Sequence, residues 1–471
     1  MNKLDQLWPS CRPAVLAVVA GLSLLLTGCA TSVPNSAPAP TPTAPPSVGS
    51  SPTQAVQIDN NDRAVSLKPR ANLGLTPPTD IWERIRRGFA MPDLDDDHVR
   101  NREQWYASRP DYILRMTERS RPYLFHIVEE LERRNMPTEL ALLPFIESAF
   151  NPHAVSSAKA AGMWQFMPAT GKSFDLKQNA FRDDRRDVQA STRAALDYLE
   201  RLHKMFGDWH LALAAYNWGE GNVSKAIARN KRAGLPTGYT DLNMPMETRM
   251  YVPKLQAMKN IVSNPPQYGV VLPSIPNHPY FQSVPLPRDM DVSVAAKLAD
   301  ISEQDFKALN PSAHRPVLLA AGSPNILLPW DNAEVFQRNY EASTLGRMAT
   351  WTAWVAPSTM KVADAAKRVN MSEADFRAVN NIPPRMLIKA GSALLVPRSA
   401  STLGDVTAQV ADNGKLDLSP EAVAKRKAAA GKGGKHGKGT KLASAKEHKG
   451  TGKKQASAKA DKKGDTKVAR K

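Results

Sequence analysis

The sequence predicts a mainly α protein. It has one large all-α domain, then two small repeated units that each add strands to a helix pair, between long segments without a core. Three observations carry this. From position 81 onward apolar residues recur with helical period, and no alternating strand run of similar strength is present. A segment starting at Val292 recurs at an offset of 70, starting at Val362. Phe, Trp and Tyr are absent from 30–80 and from 399–471, so neither stretch can assemble much of a core and both are expected to be disordered.

Charge divides the chain in the same way. The formal net charge over 471 residues is +18. Residues 425–471 hold 17 Lys+Arg and 3 acids, whereas 81–398 hold 40 and 34. The basicity therefore marks a tail and not a folded module, which argues against a specific nucleic-acid-binding domain.

At the N-terminus, Lys3 and Arg12 precede an apolar run from Ala14 to Leu26. It is short for a membrane span, which takes about 20 residues, and reads as a secretory signal over 1–28. Leu26-Thr27-Gly28-Cys29-Ala30 resembles the bacterial lipoprotein box, which implies a lipid on Cys29. The other cysteine, Cys11, would leave with the signal, so the mature chain is expected to have neither disulfide nor cysteine metal site. Ala30 stands where inner-membrane retention usually uses Asp, so the pattern implies the periplasmic face of the outer membrane. Proline is dense over 29–80, giving a semi-rigid spacer.

The helical domain is expected over 81–275. Leu124, Ile127, Val128 and Leu131 share one helix face. Thr138 is the expected N-cap of Glu139 to Glu147, and Ser191 that of a helix stopped by Gly207. Asp208 is expected to cap the next helix, through Tyr216.

Two local signals carry chemistry. Glu147-Ser148-Ala149-Phe150-Asn151-Pro152 is followed by Ser156 and by Gly162-Met163-Trp164-Gln165-Phe166-Met167-Pro168. Later comes Ala215-Tyr216-Asn217-Trp218-Gly219. Glu147 ends an apolar stretch. A carboxyl buried there is disfavoured as a charge, its pKa rises, and it can hold a proton at neutral pH as a general acid for a glycosidic oxygen. Tyr, Trp and Gln suit sugar faces and hydroxyls. Taken singly, a Glu near a helix end is an ordinary solvated or capping residue, and Tyr-Asn before Gly is an ordinary helix terminus.

Together with Glu247-Thr248-Arg249-x-Tyr251-Val252, these runs match in order and spacing a pattern that resembles the lytic transglycosylases of the goose-type lysozyme fold. The resemblance implies a lysozyme-like domain in which Glu147 is the single catalytic acid/base. Ser156 would lie near the reacting N-acetyl group. Gln165 and Met167 would line the sugar cleft, Tyr216 and Asn217 would contact substrate, and Glu247 and Tyr251 would support or line the same cleft. Trp164 and Met163 replace the family's more common pair, implying a bulkier wall. The implied substrate is the peptidoglycan glycan strand, cleaved between N-acetylmuramic acid and N-acetylglucosamine with formation of a 1,6-anhydro end. A hydrolytic lysozyme would need a second carboxylate. Asp183, Asp184, Asp187 and Glu220 are the candidates, although the first three read as ion pairs and helix N-terminal charge.

The repeated units, expected at 280–332 and 350–398, share Val, Ala, Ala, Lys, Ser, Glu, Asp, Phe, Ala and Asn. Each reaches Ala-Gly-Ser and a closing strand ending at Pro329 or Pro397. They resemble LysM, a βααβ module that binds N-acetylglucosamine units. Both depart from it after the first strand, with Asp289-Met290-Asp291 and Thr359-Met360-Lys361, so a spacer without affinity is the alternative. A second function class is a murein-binding scaffold with an inactive enzyme domain, which the retained Glu147 argues against. Gly171-Lys172-Ser173 lacks the first glycine of a phosphate loop, and no His-Glu-x-x-His occurs. No cofactor or metal is expected. The basic tail, within 399–471, is expected to be an inert extension or an electrostatic tether to anionic murein or lipid.

Overall fold

The computed structural model describes residues 77–421, apart from 401 and 403. The signal, Cys29, nearly all of the proline-rich spacer and the tail beyond 421 lie outside the described residues. Eleven helices build the first domain among those described: α1 Ile81–Arg87, α2 Asp97–Ala107, α3 Pro110–Ser120, α4 Leu124–Arg133, α5 Leu143–Ser148, α6 Pro168–Ser173, α7 Val188–Phe206, α8 Trp209–Trp218, α9 Glu220–Arg232, α10 Met246–Arg249 and α11 Tyr251–Ser263. Their apolar faces meet in one core, which includes Leu124, Ile127, Val128 and Leu131 of α4.

Local chemistry sets most boundaries. The Asp208 carboxylate accepts the Leu211 N–H at the start of α8, and Gly207 ends α7 in the left-handed region at φ 66°. Two expected caps are corrected. Thr138 does not cap. It opens a 3-10 turn, Thr138–Leu142, and its hydroxyl donates to the Ile85 carbonyl at 2.5 Å, because the chain here packs back onto α1. Ser191 is also inside its helix. Asp187 is the cap, its side chain accepting the Ala190 N–H at 2.8 Å. Two N-cap-type residues lie four apart, and the carboxylate is the one outside the first helical turn.

The repeats are the expected strand–helix–helix–strand units. In the first, β1 Phe281–Pro285 pairs antiparallel with β4 Asn325–Pro329. Short β2 Met290–Asp291 and β3 Val317–Leu318 pair beside α12 Val292–Leu298 and α13 Glu303–Leu309. The unit does not stop at 332. Helix α14, Trp330–Ala342, buries Ala333 and Phe336 in the same core. In the second unit, β5 Trp351–Val355 pairs with β8 Ala393–Pro397, and β6 Met360–Lys361 with β7 Met386–Ile388, around α15 Val362–Arg368 and α16 Glu373–Asn380. In both copies the shared Asn does the same work: Asn310 and Asn380 bond the closing strand at Leu327 and Leu395 through backbone N–H and carbonyl.

The boundary at 398 is also corrected. Residues 404–421 are ordered: α17 Ala408–Asn413 packs against Asn179 of the helical domain and Gly322 of the first unit, and β9 Leu418–Pro420 adds a strand to β7. Lack of aromatics was the sign for disorder. Val406 and Ala411 supply enough apolar surface because both neighbours already present a core to them.

That core has several owners. Ala180 and Phe181 of the helical domain, Val317 and Leu319 of the first unit, Ala393 and Leu395 of the second, and Ala411 of α17 bury one another. The Arg315 guanidinium fastens the junction, donating to Ala180 O at 2.8 Å and Val379 O at 2.5 Å. Asp289 accepts the Val406 N–H and pairs with Arg398 at 3.1 Å, the two side chains being 0% and 3% exposed. The departure from the LysM loop pattern at Asp289 thus has a structural use: its carboxylate binds the second unit.

Candidate active site

Glu147 is the penultimate residue of α5. Pro144 starts that helix where no N–H is needed, and Ala149 and Phe150 end it with consecutive left-handed backbones, φ 52° and 56°. Non-glycine residues rarely adopt this conformation, and the Phe150 N–H closing onto Pro144 O at 3.0 Å holds it. Phe150 is driven into the core against Phe145, ring centroids 4.5 Å apart. Glu147 is thereby left half-buried at the negative end of its helix.

One carboxyl oxygen of Glu147 accepts the Tyr251 hydroxyl at 2.5 Å. Tyr251 is buried at the first position of α11. Burial raises the Glu147 pKa to about 7; the Tyr251 hydrogen bond and the Lys254 charge pull it down less, and Glu247 adds to the rise. The group therefore holds its proton for much of the time at neutral pH, and among the described residues its second oxygen accepts no hydrogen bond. Burial, and then the nearby Glu147 charge, push Tyr216 and Tyr251 well above the usual phenol range, so both stay neutral donors.

Of the other sequence-predicted residues, Tyr216 and Glu247 lie within electrostatic reach of Glu147, and the rest are held by their own neighbours. Tyr216 donates to Trp164 O at 2.9 Å, and the Asn217 side-chain oxygen accepts the Thr248 hydroxyl at 2.8 Å. Glu247 lies on α10, close enough for its charge to act on Glu147. Ser156, Gln165 and Met167 sit on the loop between α5 and α6, with no hydrogen bond to Glu147. The Ser156 hydroxyl accepts the Ala160 N–H at 3.0 Å, and Gln165, itself left-handed at φ 50°, turns its amide onto Gly162 O at 2.8 Å. Met167 is exposed. This loop is tied to the centre by the Ser148 hydroxyl on Met163 O at 3.0 Å and by Tyr216 on Trp164 O. Its far side is clamped by Arg185, which donates to Lys159 O at 2.7 Å and Phe166 O at 3.1 Å. Gly162 lies so close to the Arg185 carbonyl that a Cβ would sit 1.9 Å from it.

The candidate second carboxylates are engaged elsewhere. Asp183 pairs with Arg185 at 2.7 Å, Asp184 accepts the Lys177 N–H at 3.2 Å, Asp187 caps α7, and Glu220 accepts Tyr198 and Arg201, both at 2.9 Å. Sequence reading missed Thr248 and Lys254. Thr248 stood inside a motif already singled out. Lys254 follows Tyr251 by three residues, hence on the same helix face, which was the available signal. Among the described residues no group of His, Cys, Asp and Glu could hold a metal ion.

Residues 126–235 match the family model described as "Transglycosylase SLT domain", and 280–344 match "Lytic transglycosylase MltD, LysM-like domain". The chain is 36% identical over 338 residues to membrane-bound lytic murein transglycosylase D of Escherichia coli (strain K12), covering 69% of this chain and 75% of that protein. It is 30% identical over 112 residues to membrane-bound lytic murein transglycosylase F of Alcanivorax borkumensis, 22% of each chain. Among solved structures, lytic transglycosylase Slt of Pseudomonas aeruginosa aligns at 22% identity and a TM-score of 0.22, over 30% of this chain and 24% of that one.

Proposed function

The chain belongs to the lytic murein transglycosylase family, and on that premise we propose that Glu147 is its catalytic acid and base. It is a peptidoglycan lytic transglycosylase and acts in the cell envelope. The observation that carries the residue assignment is the Glu147 carboxyl itself, raised to about 7 and held by Tyr251 at 2.5 Å.

Protonated Glu147 gives its proton to the glycosidic oxygen leaving C1 of N-acetylmuramic acid. The substrate's own N-acetyl oxygen stabilises the anomeric carbon. Glu147, now ionised, takes the proton of the sugar's 6-hydroxyl as that oxygen attacks C1. The bond to the glucosamine oxygen breaks, the C1–O6 bond forms, and the carboxyl ends protonated as it began. No water is consumed, and the tethered nucleophile has the advantage of proximity. Tyr251 stabilises the carboxylate midway, since its hydrogen bond favours the charged form. Tyr216 and Asn217 position sugar, with Ser156, Gln165 and Met167 on the facing loop. With Asp183, Asp184, Asp187 and Glu220 all engaged, the lone-carboxyl route is favoured over hydrolysis.

The domain limits at 81–275, 280–344 and 350–421 belong to the same proposal, as does a lipid on Cys29 holding the enzyme to the periplasmic face of the outer membrane. No helix among the described residues is long and apolar enough to cross a membrane. The repeated units and the basic tail would contribute binding to murein and to anionic polymer or lipid. Mass spectrometry of digested murein is the test. Anhydromuramic ends with the wild type and none with Glu147→Gln are expected. Reducing-end muramic acid, or unchanged turnover by the variant, would overturn the reading.

A further inference from the structure

We propose that the first repeated unit is a working part of the catalytic site, and that Tyr123 and Asp183 are the positioning residues through which it holds the Glu147 turn and the loop between α5 and α6. This goes beyond a role in binding murein, and it rests on the reading of Glu147 as the reacting group.

The unit is packed into the helical domain and not simply joined to it. Phe281 of β1, Leu309 of α13 and Leu327 of β4 are buried in the same core as Leu143 and Phe145 of α5. The Phe281 ring meets His126 of α4 at 5.5 Å. The corresponding positions of the second unit, Trp351, Val379 and Leu395, pack in a different core, built with Ala180 and Phe181. One face of the repeat is thus used twice for docking, and the first copy docks on the core that carries the catalytic helix. Domains joined by a linker ordinarily move against one another unless an apolar interface holds them, as it does here.

Two routes run from the unit to Glu147. The first begins at the end of α13. The buried Tyr123 donates its hydroxyl to Ala308 O at 2.8 Å. Its ring lies parallel to that of Phe150, with planes 3° apart and centroids 6.4 Å apart, while Phe145 meets Phe150 edge-on. Phe150 is the second of the two left-handed residues that end α5, three positions after Glu147. A strained backbone of this kind persists only where its surroundings over-determine it. Those surroundings include, through Tyr123, the repeated unit.

The second route begins a few residues on. Ser312 O accepts the Asp183 N–H at 3.2 Å. The Asp183 carboxylate takes the Arg185 guanidinium in two-pronged fashion, at 2.9 and 2.7 Å. The same guanidinium holds Lys159 O and Phe166 O, on the loop that carries Ser156, Gln165 and Met167. That loop is bonded in turn to Ser148, the residue after Glu147, through Met163 O. Both routes leave the unit between Ala308 and Ser312, and both end within three residues of Glu147. A shift at the end of α13 therefore reaches the reacting group from two directions. A misplacement of about 1 Å can cost about 100-fold in rate, so docking acts on the chemical step and not on affinity.

The test compares the full chain with Tyr123→Phe, which keeps the ring stack and removes the donor, and with Leu309→Ala, which loosens the docked face. Ile388→Ala, in the second unit's own core, controls for a general loss of stability. kcat and KM on soluble glycan strands are measured well below each protein's unfolding transition. Leu309→Ala lowers kcat about tenfold with KM unchanged, and Tyr123→Phe acts in the same sense by less. In both, the alkaline limb of the pH–rate profile moves downward, because a less buried Glu147 loses its proton at lower pH. Ile388→Ala loses stability alone. A raised KM at unchanged kcat makes the unit a binding module only and overturns the proposal, as does a kcat no lower than that of the control. Unchanged turnover by Glu147→Gln would instead overturn the catalytic reading, so the two failures are separable.

Discussion

Glu147→Gln should stabilise the protein, and only above acidic pH. In the unfolded chain the carboxyl titrates near 4.5, and in the native state near 7, chiefly through burial. Below pH 4.5 both states are protonated and the carboxyl makes no difference. Between those values the native state binds more protons, so wild-type stability falls as pH rises. Above 7 both states are ionised and the loss is complete. At roughly 1.4 kcal/mol per pH unit, the interval corresponds to about 3 kcal/mol. The glutamine has no charge to bury and still offers Tyr251 an acceptor. Urea denaturation of the full chain, wild type and variant, at pH 4, 6 and 8 checks this. The variant's advantage should grow with pH, by up to about 3 kcal/mol, while lytic activity is lost. An advantage that is flat from pH 4 to 8 would refute the reasoning, because an exposed carboxylate has no such linkage.

Tyr251→Phe removes the donor that favours ionised Glu147, so the alkaline limb of the pH–rate profile should move upward while the maximal rate falls; an unmoved limb argues against the contact. Arg315→Ala leaves Ala180 O and Val379 O without their guanidinium donor. A loss of about 2 kcal/mol and faster proteolysis between the repeated units are expected, read by urea midpoint and limited trypsin digestion. Arg398→Met strands the buried Asp289 carboxylate with backbone donors alone. A loss of about 3–5 kcal/mol should follow, partly recovered by adding Asp289→Asn, in a double-mutant denaturation series.

Much of the fold was legible because its signals are short-range. The α4 stripe of Leu124, Ile127, Val128 and Leu131, the Gly207 stop and the Asp208 cap each depend on residues within a turn or two, and each holds in the structure. The two misplaced caps show the limit. Thr138 and Ser191 are good capping residues by type, but the position of a cap is decided by where the chain must turn to pack. The end of the second unit failed for a related reason. Residues 404–421 cannot fold alone, and only the surface already built by Phe181, Val317 and Leu395 makes their few apolar groups sufficient.

By itself the sequence determined the family, the mainly helical class and the repeated units, since ordered motifs are a linear property, and it singled out Glu147 and Tyr251, which the structure brings together. What only the tertiary structure decided is how those residues act on one another. Tyr251 lies 104 positions from Glu147 yet supplies its hydrogen bond, and the burial that raises the carboxyl exists only once the helices are packed. Asp289, which broke the expected loop pattern, proved to be a buried fastener between the two units. Proton affinity and polar pairing follow from burial and distance in space, and those are set by topology, which no local window of sequence contains.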